Sequence, residues 1–312
     1  MLAFVIILPN LFWQYRNQFP VFHHMDLLQK YHLVHVNRVD FLKDQLLYGV
    51  AAFPVMVAAL WGLLWYRSFA RYRFMAWNFI FTLAIFVFFK AKSYYALGLY
   101  PVYFALGAVY LSEVLRDGWK RYLRPVAAAL PVLFLALVIP LEFPVRTPEE
   151  FTEFAKANPG LGMHRWEDGK KYPLSQDFAD MTGWKELAEK TEKIYNALPE
   201  KDGVLILCDN YGQAGAINYY SRGRLRADSF HADYLGWFDL SKPYCHLIRI
   251  KNAGNRVEEM EETLPLFESG RLADSLANPY AREYKTDIFV FRNAKISVNE
   301  RIREEIRSVG AR

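Results

Sequence analysis

YLRPVAAALPVLFLALVIPLEFPVR, residues 122–146, decides how the chain is read. No charge falls between Arg124 and Glu142. Crossing the hydrocarbon core of a bilayer takes about 20 mainly apolar residues in a helix, and Tyr122–Pro140 meets that requirement. Beyond Pro140 and Pro144 the text changes character, and charges appear in almost every block of ten. The chain has 312 residues, a net charge of +5, 53% hydrophobic and 17% aromatic residues. Its mean hydropathy of -0.02 averages over two unlike halves, one suited to lipid and one to water.

The same test selects Gln45–Tyr66, Phe74–Phe89 and Tyr94–Leu115 upstream. Met1–Leu11 is apolar but too short to cross alone. It lacks a basic leading region, and PNLFWQYR offers no small-residue cleavage site, so it reads as the end of a spanning helix whose start is missing rather than as a signal peptide. The expected fold class is a membrane all-α helical bundle of about five spanning helices, the first truncated, over residues 1–140. An irregular strap follows at 141–181, then a small extracytoplasmic α/β domain at 182–312.

Basic residues in short loops set the orientation. YRSFARYR carries Arg67, Arg71 and Arg73, and RDGWKRYLR carries Arg116, Lys120, Arg121 and Arg124 against Asp117. Both loops are assigned to the cytoplasm. Residues 10–44, the turn at 88–95 and everything after Pro140 then lie outside. In the first outer loop, Phe22, Leu27, Leu28, Tyr31 and Val34 recur at helical spacing, as in a helix lying in the interface plane. Its histidines, His23, His24, His32 and His35, show no spacing that stands out as a zinc site, and no metal is expected.

In the outer half, Thr182 is placed as the N-cap of a helix through about Ala197. GVLILCDN, YCHLIRIK and TDIFVFRNA read as strands. YGQAGAINYY, RVEEMEETL and SVNERIREEIRSV read as helices. That alternation indicates a small layered domain with a largely parallel sheet. Cys208 and Cys245 both sit in apolar strand patterns and are read as small core thiols, although an outer compartment would permit a bridge.

Three groups are candidate sites. Lys90, Lys92, Tyr94 and Tyr95 stand where a spanning helix leaves the bilayer; ammonium groups and tyrosine hydroxyls can hold a phosphate, or they are snorkelling and belt residues. Asn210, Tyr211, Gly212 and Gln213 would lie at a strand's carboxyl end beside a helix N-terminus, where ligands bind in α/β sheets, or they form a turn capped by Asn210. Ser221, Ser229, His231 and Asp233 occur near one another, but no nucleophile-elbow motif surrounds either serine.

Taken together, LPNLFWQYRNQFPV, KAKSYYALGLYPVYFALGAV, SQDFADMTGWKELAEK and NYGQAGAINYY resemble, in order, the C-terminal part of bacterial membrane glycosyltransferases of family 39. That group has the GT-C architecture and includes protein O-mannosyltransferases and aminoarabinose transferases. The resemblance runs from Met1 to about Phe238. It implies a sugar donor on a polyprenyl-phosphate carrier, no further cofactor, and a glycan, lipid or protein acceptor. Lys90 and Lys92 would then meet the carrier phosphate, with Tyr94 and Tyr95 fixing its oxygens. Arg16, Trp13 and Tyr15 would flank the same cavity. The family's catalytic acidic loop has no counterpart here, and Asp26, Asp40 and Asp44 are not put in its place. The alternative is a non-catalytic, membrane-anchored binding or scaffold module. A transporter is disfavoured because the helices carry no ionisable residue near their centres, and no nucleic-acid partner is expected.

Overall fold

The computed structural model describes residues 2–17, 19–31, 33, 36–161, 163–166 and 168–310. His32, Val34 and His35 lie outside the described residues, and the side chains of His23, His24, Leu27, Leu28 and Tyr31 are likewise not described. The chain divides into two compact units. One comprises residues 1–25, 148–166 and 170–312, and the other 26–147 with 167–169.

The chain opens with α1 (Leu2–Arg16), which contains Pro9, and α2 (Pro20–Tyr31). In the second unit, α3 (Arg38–Tyr48), capped by the Asn37 side chain, leads through Gly49 into α4 (Phe53–Trp65). Then come α5 (Phe74–Phe88), α6 (Tyr100–Val114) and α7 (Leu123–Glu142). Short 3-10 helices at Ser93–Leu99 and Gly118–Tyr122 extend α6 and α7 at their amino ends. Among the described residues two helical segments are long and apolar enough to cross a membrane, Ser93–Val114 and Gly118–Pro140; α3 with α4 passes as a third when read as one span bent by 56°. Five spans were expected. At 1.5 Å per residue, the 15-residue α5 rises only about 22 Å against a core of roughly 30 Å, and α1 has the same length. Leu133, Leu135 and Leu137 of α7 are exposed, as suits a helix whose solvent is lipid.

Helices α4 and α6 pack most closely. Gly107 makes this possible: a Cβ there would stand 2.0 Å from the Val55 carbonyl oxygen, so only glycine lets the two backbones meet. Around them Phe41, Met56, Leu63, Phe69, Tyr100 and Tyr103 form one core.

The other unit holds a five-stranded sheet in the order β2-β1-β3-β5-β4. Its strands are β1 (Val204–Cys208), β2 (Ala227–Ser229), β3 (His246–Lys251), β4 (Phe267–Ser275) and β5 (Asp287–Ala294). The expectation of a largely parallel sheet needs correction. β1 runs parallel to β2 and β3, whereas β5 is antiparallel to both β3 and β4. The chain leaves β3, passes through α12 (Arg256–Thr263), lays down β4 at the edge and doubles back as β5 between them. β2 and β4 were not expected. The first is three residues long, and the second carries Glu268, Ser269, Gly270, Arg271 and Asp274, which show no strand pattern of their own and form a strand by pairing with β5.

One face of the sheet is covered by α10 (Trp184–Asn196) and α11 (Tyr211–Tyr220), burying Leu187, Ile206, Ala214, Ile217, Ile248 and Ile288. The opposite face buries Leu205, Leu247, Phe289 and Phe291 under α13 (Val298–Gly310) through Val298 and Ile302. Residues 141–181, expected as an irregular strap, contain α8 (Pro148–Ala157) and the single turn α9 (Gln176–Ala179). Phe151, Ala155, Leu174, Phe178 and Ala179 there form a small core of their own. Thr182 is not the N-cap of α10. Gly183 holds that position at φ +88, which glycine adopts without penalty, and the Thr182 hydroxyl donates instead to the carbonyls of Ala179 and Tyr280. Cys208 is buried as expected, but Cys245 is exposed just ahead of β3 and the two thiols are free.

Candidate functional site

The turn after α5 is built by an unusual residue choice. The Phe89 amide donates to Ile85 O at 3.0 Å, Lys90 N to Val87 O at 3.3 Å and Ala91 N to Phe86 O at 2.9 Å. That ladder is a Schellman cap, whose left-handed position is normally glycine. Here Lys90 occupies it at φ +53. A side chain in this region costs about 1 kcal/mol relative to glycine.

Arg38 on α3 grips the same helix end, donating Nε to Val87 O at 3.0 Å and a terminal nitrogen to Phe88 O at 3.3 Å. It thereby satisfies carbonyls that the end of a helix leaves open and places positive charge at the negative pole of the helix. On the far side of the turn, Gln45 Nε2 donates to Ser93 O at 3.1 Å, Tyr100 OH to Gln45 Oε1 at 2.7 Å, and the Tyr48 and Ser93 hydroxyls lie 3.0 Å apart.

The turn thus brings Lys90, Lys92, Tyr94 and Tyr95 together on a held backbone. Lys92 Nζ stands 5.7 Å from the Tyr94 ring centre, and the two tyrosine rings meet edge to face at 4.9 Å. Both lysines are half-buried and both tyrosines exposed. Ammonium groups with hydroxyls beside them can hold a phosphate. Trp13, Tyr15 and Arg16 lie on α1, in the first compact unit; the Arg16 guanidinium sits over the Phe12 ring at 4.9 Å.

The second candidate group lies at the carboxyl end of β1. Asn210 caps α11, its Oδ1 accepting from Gln213 N at 2.9 Å. The fully buried Gln213 accepts from Asp209 N at 3.0 Å and donates Nε2 to Asn252 Oδ1 at 2.7 Å and Glu283 Oε2 at 2.6 Å. Thr286 adds its hydroxyl to Glu283 at 3.1 Å. Beside this chain, Asp209, Arg249, Glu259 and Lys251 form an ion network: Arg249 pairs with Asp209, and Lys251 Nζ reaches Glu259 Oε2 at 3.2 Å. Every polar group of the Gln213 amide is engaged within the protein, and Glu283 brings negative charge to the helix start. Asn210 and Gln213 therefore serve to lock the strand–helix turn. Gly212 lies against Trp184, and Tyr211 is exposed, stacked on His231 at 5.1 Å.

The serines near His231 are engaged with backbone. Ser221 Oγ accepts from Leu225 N at 3.2 Å, and Ser229 Oγ from His231 N at 3.1 Å. Among the described residues no group of three or more His, Cys, Asp or Glu gathers as a metal site.

Two features were missed in the sequence. Arg38 carried no local signal, because its partners are 49 and 50 residues away. Asp228 on β2 is 2% exposed, and its Oδ2 has no hydrogen-bond partner. Burial pushes its carboxyl up from 3.8 to about 6, opposed by Arg226 and helped by Asp239.

The fold defines a mostly helical, membrane-associated protein with a small mixed sheet. No protein-family model, curated protein or solved structure matches the chain.

Proposed function

We propose that the chain is part of a membrane glycosyltransferase of the family-39 kind, moving a sugar from a polyprenyl-phosphate carrier to an acceptor on the outer face of a bacterial inner membrane. The observation that carries this reading is the Lys90 turn. A lysine standing where glycine is favoured, on a turn pinned by Arg38, is the kind of local departure expected of a functional position. In transfer, the acceptor hydroxyl forms a bond to the anomeric carbon as the bond from that carbon to the carrier phosphate breaks, and the hydroxyl proton passes to a base. Negative charge grows on the departing phosphate, and Lys90 and Lys92 stabilise it where it develops. Tyr94 and Tyr95 hydroxyls bind the same oxygens.

The test is transfer of labelled sugar by the full protein in lipid vesicles at saturating acceptor. Lys90→Ala with Lys92→Ala should lower turnover by about 100-fold, the scale of losing a group that stabilises transition-state charge. Unchanged turnover defeats the phosphate role. In a Cys245→Ser background, which removes the exposed native thiol, impermeant labelling of Lys90→Cys should report the outer face; labelling only from the inner face overturns the assignment.

A further inference from the structure

A cleft of about 570 Å³ opens in the unit that holds the sheet, between α8, the chain at 164–173 and the turn at 279–280. Its volume is within the range of small-molecule sites. It is preformed, because Met163, Trp166 and Tyr280 pack on the small core of Phe151, Ala155, Leu174, Phe178 and Ala179.

Its walls combine rigid rings with positive charge. Tyr172 stacks on Trp166 with centroids 3.8 Å apart and planes 22° from parallel, and the Trp166 indole is fixed by donation to Leu174 O at 2.9 Å. Tyr280 faces the cleft from the other wall, with Pro173 and Pro279 completing the apolar surface. Lys156 reaches it from the last turn of α8, and Lys171 from the hairpin that Arg165 and Lys171 close by a backbone bridge. Among the described residues lining the cleft are two lysines and a histidine and no carboxylate. Lys156 also meets Glu153 at 3.4 Å, but both side chains are well exposed, and such a pair is weak and exchangeable. His164 Nδ1 lies 2.8 Å from Tyr172 O. A carbonyl only accepts, so Nδ1 carries the proton, and Nε2 of the neutral ring is an acceptor suited to a hydroxyl.

We propose that this cleft binds an anionic saccharide, its ring against Tyr172 and Tyr280 and its carboxylate or phosphate between Lys156 and Lys171. Rigid aromatic faces bind the C–H surface of a sugar at little entropic cost, the lysines select for negative charge, and His164 takes a ring hydroxyl. The inference goes beyond the transferase reading and does not depend on it.

The test is calorimetric titration of the full chain in nanodiscs with glucuronic acid, glucose 6-phosphate, methyl glucoside, AMP and inorganic phosphate. Binding of either acidic sugar at least tenfold tighter than the neutral glucoside, AMP or phosphate supports the proposal, and which acidic sugar leads identifies the source of the charge. Lys156→Gln with Lys171→Gln should weaken that binding by about 100-fold, roughly tenfold per charge-assisted contact. Both positions are exposed, and thermal unfolding of the double variant should match the parent. No binding of acidic sugars, equal or tighter binding of phosphate or AMP, or affinity unchanged in the double variant overturns it. Because the readout is binding and not turnover, its failure leaves the Lys90 and Lys92 test untouched.

Discussion

Replacing Asp228 by asparagine should change how stability depends on pH. Asp228 sits in register with Leu207 on the sheet face that buries Leu205, Phe289 and Phe291. Arg226, exposed beside it, holds Nε 3.7 Å from Asp228 Oδ2 and also reaches Asp239 at 3.8 Å. Removal from water raises the Asp228 carboxyl from 3.8 to about 6, and the same buried charge helps raise the Tyr244 phenol, after burial itself. The folded state therefore keeps this proton to a higher pH than the unfolded chain does. Between about pH 4 and pH 6 the native protein binds more protons, so its stability falls as pH rises and levels off above the folded value. A shift of about two pKa units at 1.36 kcal/mol each makes the fall about 3 kcal/mol. Asparagine cannot ionise and should not show it. Hydrogen exchange of the amides in β1 and β2, followed by mass spectrometry on the full chain in nanodiscs, measures this locally. Relative to the parent, Asp228→Asn should gain about 3 kcal/mol of protection between pH 4 and pH 7.5. A stability difference that stays constant over that range would refute a buried, charge-poor site for Asp228.

Lys90→Gly should relieve the left-handed turn and stabilise the helical unit by about 1 kcal/mol while lowering sugar transfer; thermal unfolding in detergent checks the first effect, and a loss of stability contradicts the cap geometry. Gly107→Ala forces a Cβ to within 2.0 Å of the Val55 carbonyl oxygen and should cost about 3 kcal/mol through overpacking, read by the same unfolding assay. Parent-like stability would mean that α4 and α6 do not meet there. Cys245 should react with a maleimide in the native protein and Cys208 only after unfolding, since burial both shields the Cys208 thiol and pushes its pKa up. Equal labelling of the two would place Cys208 at the surface.

The parts of the fold legible in the sequence are those with local causes. The run Tyr122–Pro140 needs only its composition to read as a membrane helix. Asn210 caps α11 through a bond to the amide three residues on, which the cap preference anticipates. β1, β3 and β5 are apolar runs bounded by polar residues, and α13 shows its amphipathic period without help from a partner.

Other features were set by distant partners. β4 is a strand because β5 lies beside it, and β5 runs against β3 because the chain returns from an edge; alternation along a strand says which face is buried and nothing of direction. The Gln213 side chain is tied to Glu283, 70 residues away, a contact the sequence does not show, so by itself the stretch reads equally as a ligand loop or as a turn capped by Asn210. Lys156, Lys171, Tyr172 and Tyr280 share no motif, and only the packing of α8 makes them one cleft. By itself the sequence determined the two long apolar segments around 94–115 and 122–140 and most helices and central strands, because those follow from burial patterns within a few residues. Strand direction, the left-handed Lys90, the buried Asp228 and the cleft were decided by the tertiary structure, because each depends on atoms that the chain brings close only after folding.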